Sequence, residues 1–232
     1  LPEITSPDTR GAMYDEMNRV LAALHSVNIE QAGLNDYGKP GSYFHRQLSR
    51  WTKQYRASEL EHIAEIEQLI AYLEANLPDD DGQVALVHGD FRLDNMMFDM
   101  SHPDKPKVVA VLDWELSTLG HPYADLAYQC MQLRLPANIA HAAGLGGLDR
   151  EQLGIPSETA YIQAYCQRRN IGVIENWTFY LAFSFFRLAA ILQGVVKRAH
   201  DGNASSEKAM QLGAMVRPLA QIANQTIHQE MK

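Results

Sequence analysis

Over residues 12–25, Met13, Met17, Val20, Leu21 and Leu24 recur at three- and four-residue intervals, which predicts an amphipathic helix. Gly33, Gly38, Pro40 and Gly41 mark a loop, after which Phe44, Leu48, Trp51 and Tyr55 predict a second helix over 42–56. Ser58 followed by Glu61 is a capping-box signature for a third helix, with Leu60, Ile63, Ile66, Leu69, Ile70 and Leu73 as its buried face. Pro78 and the acidic Asp79-Asp80-Asp81-Gly82 close it. At residue 84 the period changes. Short apolar runs at 84–87, 96–98 and 108–112 predict strands, and the last two are joined by a turn-rich connection over 99–107. Helical spacing returns after Pro122, over 123–134, 157–169, 174–199 and 206–229, with Pro136, Gly144, Gly146, Gly147, Pro156 and Gly202 as breaks. No internal repeat is present. The pattern describes an α+β chain, predominantly helical, with one small β insert.

The apolar run 177–196 is long enough to pass for a membrane span, but Arg187 at its middle would cost about 2.5–3.5 kcal/mol at a bilayer centre. Ser184 and Gln193 weaken it further, so the run is expected to be a buried helix, with Arg187 paired internally or reaching the surface. No membrane partner is expected. The 232 residues, 46% apolar and 21% charged, suffice for a sizeable core without disulfide or structural metal. Cys130 and Cys166 form neither a zinc spacing nor a disulfide framework, which fits a reducing, cytoplasmic compartment. A net charge of −8 opposes a general nucleic-acid binder. The opening Leu1-Pro2-Glu3-Ile4-Thr5 has no signal-peptide character, and its lack of a Met reads as a trimmed start.

The chemistry concentrates in 84–115. His88-Gly89-Asp90 follows the first predicted strand, Asn95 stands five residues after Asp90, and Asp113 ends the returning strand ahead of Trp114 and Glu115. A tight hairpin would bring Asp90, Asn95 and Asp113 to one rim. That arrangement suits phosphoryl transfer, where an Asp accepts the proton of an attacking hydroxyl while an Asn and a second Asp hold Mg²⁺ on the nucleotide phosphates. Hard oxygen ligands without a His/Cys cluster favour magnesium over zinc.

This segment resembles the aminoglycoside phosphotransferase family, kinase-like enzymes that phosphorylate small-molecule hydroxyls. The family's H-G-D-x-x-x-x-N loop is matched by His88, Gly89, Asp90 and Asn95, and its metal Asp by Asp113. The segment Gly120-His-Pro-Tyr-Ala-Asp125-Leu-Ala127 is similar to the family's downstream element. The resemblance implies a protein-kinase-like C-terminal lobe over 1–232. It makes Asp90 the catalytic base, Asn95 and Asp113 magnesium and nucleotide ligands, Asp125 a brace for the loop, and ATP and Mg²⁺ the cofactors. The stretch YFHRQLSRWTKQY over 43–55 and the region 110–127 are similar to the subgroup that occurs beside or fused to acyl-CoA dehydrogenases. That subgroup implies a hydroxyacyl acceptor carried on coenzyme A and an acyl-CoA dehydrogenase domain or neighbour as partner.

Other residues carry two readings. Arg92 is a candidate to steady the transferring phosphoryl group, against an ordinary ion pair to Asp94 or Asp99. Glu115 is a candidate third metal ligand, against a solvated strand-exit carboxylate. His88 is placed with the cofactor-binding residues, against a packed histidine bonded to the loop. Trp114 reads as core, Tyr43, Phe44, Trp51 and Tyr55 as a packed helix face, and His121 and the remaining histidines as incidental. No glycine-rich strand pair with a lysine precedes residue 88, so the N-terminal nucleotide lobe is expected to be absent and the fragment alone inactive. The alternatives are a non-catalytic kinase-like binding module, a phosphotransferase for cationic amino alcohols or aminoglycosides, and, ranked last, a metallophosphoesterase.

Overall fold

A computed structural model describes residues 4–137, 144–202 and 211–230. The chain divides into two compact units. The first comprises residues 1–41, 82–130 and 147–175, the second 42–81, 131–146 and 176–232.

The first unit is built on helix α1 (Pro7–Leu24), which begins earlier than the apolar stripe alone indicates. Ser6 caps it, accepting from the Thr9 N–H at 3.3 Å, and Pro7 occupies a position where its missing N–H costs nothing. Met13, Met17 and Leu21 are buried along the predicted face. The β insert is two separate two-stranded sheets. Strand β1 (Ala85–Val87) pairs antiparallel with β4 (Thr118–Gly120), while β2 (Met96–Asp99) and β3 (Lys107–Val111) form a hairpin with a bulge between Met97 and Phe98. Strand β4 has no sequence signal, because three residues are too few to show a period. Helix α4 (Tyr123–Arg134) follows β4 and Pro122, and the unit boundary falls within it. Helix α5 (Glu158–Arg169) is capped by Ser157, packs on α1, and ends at left-handed Asn170.

The second unit holds α2 (Tyr43–Ser58), α3 (Ala64–Ala75), α6 (Trp177–His200) and α7 (Val216–Glu230). The Ser58–Glu61 capping box does not form. The Ser58 hydroxyl bonds back to the carbonyls of Gln54 and Tyr55 in α2, and α3 starts only at Ala64. Tyr43, Phe44, Trp51 and Tyr55 are buried as expected, with Phe44 packed edge-on against Phe179 and Phe183 of α6. By length and composition α6 could cross a membrane, yet 72% of its apolar window is buried among the helices around it. Of the final predicted helix, 206–210 lies outside the described residues, and a turn at 214–215 precedes α7.

Candidate active site

The loop between β1 and β2 is shaped by what it must avoid. Gly89 has φ +86°, and a Cβ there would lie 2.6 Å from the Leu116 carbonyl oxygen, so only glycine lets the chain turn out of β1 beneath that backbone. Buried Phe91 anchors the loop from below, and the short 3₁₀ turn Leu93–Asn95 delivers the chain into β2.

Two neighbouring elements hold this loop. From the first turn of α4, the buried Asp125 carboxylate accepts from the backbone N–H groups of His88 (2.6 Å) and Gly89 (2.8 Å), the bracing role expected of it. From the returning strand, the Leu112 carbonyl accepts from His88 Nε2 at 2.9 Å, while His88 Nδ1 accepts from the Asp90 N–H at 3.2 Å. These partners assign His88 as the neutral Nε2–H tautomer. Fully buried, with both ring nitrogens engaged, His88 has none left for a cofactor. The cofactor-binding expectation for it is therefore corrected to the packed, loop-fixing reading.

Asp90 is oriented at both oxygens. Asn95 Nδ2 donates to Asp90 Oδ2 and to its carbonyl, each at 2.9 Å, and Tyr128 Oη donates to Oδ1 at 2.7 Å. Asp113 reaches the same end of the hairpin through the backbone, because the Leu112 N–H donates to the Asn95 carbonyl at 2.8 Å. It sits at φ +66° and is exposed, as is Glu115 in the 3₁₀ turn that follows. Trp114 is 38% exposed rather than core, its ring over His88 and its Nε1–H on the Val111 carbonyl. Arg92 forms an ion pair with Asp94, the ordinary reading of the two weighed for it.

The residues fit a divalent cation. The Asn95 amide nitrogen is spent on Asp90, which leaves its Oδ1 as a hard oxygen donor, and the chain end joined to Asn95 through the Leu112 N–H carries the Asp113 carboxylate. Elsewhere, Glu59, His62 and Glu67 come within 4.8 Å of one another, but Arg56 holds Glu67 through two bonds and stands 3.8 Å from Glu59. That cluster is an ion-pair network.

Two site residues escaped the sequence. Tyr128 lies three residues after Asp125, so the two share one face of α4, a spacing that could have revealed it. His25 is not incidental. Its Nε2 faces Asp125 Oδ2 at 3.4 Å, and its Nδ1 meets the Tyr165 hydroxyl at 2.8 Å. Burial holds the imidazole below its usual range despite the pull of Asp125, and burial likewise raises the Tyr165 phenol. A neutral His25 donates to Asp125 and accepts from Tyr165, which extends the support of the loop to α1 and α5.

A family model, the phosphotransferase enzyme family, matches residues 3–156. Acyl-CoA dehydrogenase family member 10 of Mus musculus is 49% identical over 217 residues, covering 94% of this chain and 20% of that protein. Human acyl-CoA dehydrogenase family member 11 is 44% identical over 217 residues, covering 93% of this chain and 27% of that protein. The chain thus spans about a fifth to a quarter of the length of these relatives. Among solved structures, a Ralstonia eutropha chain assigned as an aminoglycoside phosphotransferase is 48% identical, with a TM-score of 0.91 over 99% of this chain and 68% of that one. A macrolide 2′-phosphotransferase from Brachybacterium faecium shares the fold at 19% identity, with a TM-score of 0.54 over 90% of this chain and 61% of that one.

Proposed function

The chain belongs to the phosphotransferase enzyme family, and from that premise we propose that it transfers the γ-phosphoryl group of ATP, with Mg²⁺, to a hydroxyl of a small molecule. One observation carries the reading: the Asp90 carboxylate is fixed by Asn95 and Tyr128 at the hairpin end that also presents Asp113. In this reading Asp90 receives the proton of the acceptor hydroxyl as the new P–O bond forms and the bond to the departing ADP oxygen breaks. Asn95 Oδ1 and Asp113 hold the cation, with Glu115 two residues beyond as a further oxygen donor. When bound, Mg²⁺ supplies charge neutralisation at the phosphate oxygens. Arg92, held by Asp94, shapes the loop between Asp90 and Asn95.

For the acceptor, the kinship with acyl-CoA dehydrogenase family members supports a hydroxyacyl group carried on coenzyme A, and an acyl-CoA dehydrogenase domain or neighbour as partner. The solved Ralstonia relative favours a second reading, a cationic amino alcohol of the aminoglycoside class, to which a net charge of −8 is congenial. The chain spans only part of the length of its relatives, so the assay uses the full natural protein. ATP turnover is measured with hydroxyacyl-CoA thioesters, the free hydroxy acids and aminoglycosides. Stimulation by a hydroxyl-bearing acceptor is expected, with a loss of at least about a hundredfold in Asp90→Asn and Asp113→Ala while folding is kept. Unchanged turnover in a folded Asp90→Asn protein overturns the assignment.

A further inference from the structure

The loop between α1 and α2 is wound by its own backbone. The N–H groups of Ala32, Gly33, Leu34 and Tyr37 donate to the carbonyls of Asn28, Glu30, Ile29 and Leu34, each at 3.0 Å. Its end is seated on β4. A Cβ on Gly38 would lie 2.6 Å from Thr118 Oγ1 and 2.7 Å from the Leu119 nitrogen, so glycine lets the loop backbone lie directly on the strand. Beside it, the Tyr37 hydroxyl bonds to the Ser117 hydroxyl across 80 residues of sequence. Ser117 has one hydroxyl proton and spends it on the Trp114 carbonyl, so Tyr37 is the donor to Ser117 Oγ. The Ser117 N–H reaches the same carbonyl at 3.0 Å.

Trp114 stands between Asp113 and Glu115, in the 3₁₀ turn Trp114–Leu116. Burial does not set the direction of this turn, because Asp113, Trp114, Glu115 and Leu116 are all exposed. Hydrogen bonds and backbone contacts set it instead. Asp113 holds a left-handed φ of +66°, which a non-glycine residue keeps only where its surroundings enforce it. The enforcing contacts include the Trp114 indole on the Val111 carbonyl, the Gly89 backbone against the Leu116 carbonyl, and the Tyr37–Ser117–Trp114 chain. Bonds in such a chain polarise one another, so loss of the Tyr37 donor weakens the bond that Ser117 makes.

We propose that Tyr37 is a positioning residue for cation binding. Through Ser117 it fixes the Trp114 carbonyl, and so the direction in which the flanking Asp113 and Glu115 present their carboxylates. The cation rests on the phosphotransferase reading; the bonded chain does not.

The test uses Mn²⁺ as a paramagnetic stand-in for Mg²⁺, titrated by electron spin resonance into the full natural protein with ADP present. The wild type is expected to bind, and Tyr37→Phe, which removes only the hydroxyl, about three- to tenfold more weakly. Ser117→Ala is expected to lose as much or more, and the double variant to bind no more weakly than Ser117→Ala alone. ADP affinity without the cation should stay within about twofold, which separates a role toward the cation from damage to the nucleotide site. Thermal melts establish that each variant is folded. The proposal is overturned by Mn²⁺ binding in Tyr37→Phe equal to wild type, by losses that add in the double variant, or by an equal loss of cation-free ADP affinity. Asp113→Ala is the control for the site. If it binds Mn²⁺ as the wild type does, or if the wild type does not bind, the cation reading of the turn falls and the role of Tyr37 with it.

Discussion

Tyr128 donates its hydroxyl to Asp90 Oδ1 at 2.7 Å, across 38 residues of sequence, while Asn95 holds the other oxygen of the same carboxylate. A carboxylate bonded at both oxygens has one side-chain orientation, so the proton acceptor is in place before an acceptor hydroxyl arrives. Asp125, three residues before Tyr128, holds the amides of His88 and Gly89. One face of α4 therefore sets both the backbone of the loop and the side chain that projects from it.

Tyr128→Phe removes only the donor. Hydrogen bonds to charged groups contribute about 1.5–3 kcal/mol, so kcat is expected to fall about ten- to a hundredfold. KM for ATP should stay within about twofold, and the melting temperature should change little. Steady-state kinetics of the full natural protein checks this. A rise in KM with kcat intact would mean that Tyr128 serves nucleotide binding instead.

Gly89→Ala tests the turn. The left-handed φ of +86° alone costs a non-glycine residue about 1–3 kcal/mol, and the methyl group would press on the Leu116 carbonyl 2.6 Å away. That carbonyl is backbone, not the far end of a flexible side chain that can swing aside. Thermal unfolding is expected to drop by roughly 2–4 °C for each kcal/mol lost. A variant that melts with the wild type would show that the loop has room the structure does not give it.

The helices were legible because burial selects residues three and four apart, as Met13, Met17 and Leu21 do on α1. The loop was legible because Asp90 and Asn95 lie five residues apart and act on each other, so their spacing is itself the geometry. What the sequence hid is what depends on distant partners. Asp125 draws His25 from 100 residues away, and nothing in the local pattern around His25 marks it. Ser58 and Glu61 made a capping box on paper, yet the hydroxyl found carbonyls in its own preceding turn first. His88 looked free to serve a cofactor until Leu112 and the Asp90 amide claimed its two nitrogens.

Asp125→Ala leaves the buried amides of His88 and Gly89 without their acceptor and removes the partner of His25. Unsatisfied buried donors cost about 1–3 kcal/mol each, so a loss of roughly 2–5 kcal/mol is expected in denaturant unfolding. Asp125→Asn keeps one acceptor oxygen and should lose less. Equal losses in the two variants would count against the amide bonds as the source of the stability.

His25 makes stability depend on pH, and the sign follows from its burial. Its imidazole is held below the ordinary histidine range by desolvation, with Asp125 pulling the other way and losing. In the unfolded chain His25 takes up a proton as pH falls below about 6.5, whereas in the folded protein it stays neutral further down. Over that interval the unfolded state binds more protons, so folded stability falls with falling pH and is at its full value above about 6.5. His25→Gln places an amide near the Nε2 position, able to donate to Asp125, and does not titrate. Between pH 7 and pH 5 the wild type is therefore expected to lose more melting temperature than His25→Gln. Parallel curves for the two proteins would show that His25 takes up its proton alike in the folded and unfolded states, so that the Asp125 carboxylate fully offsets burial.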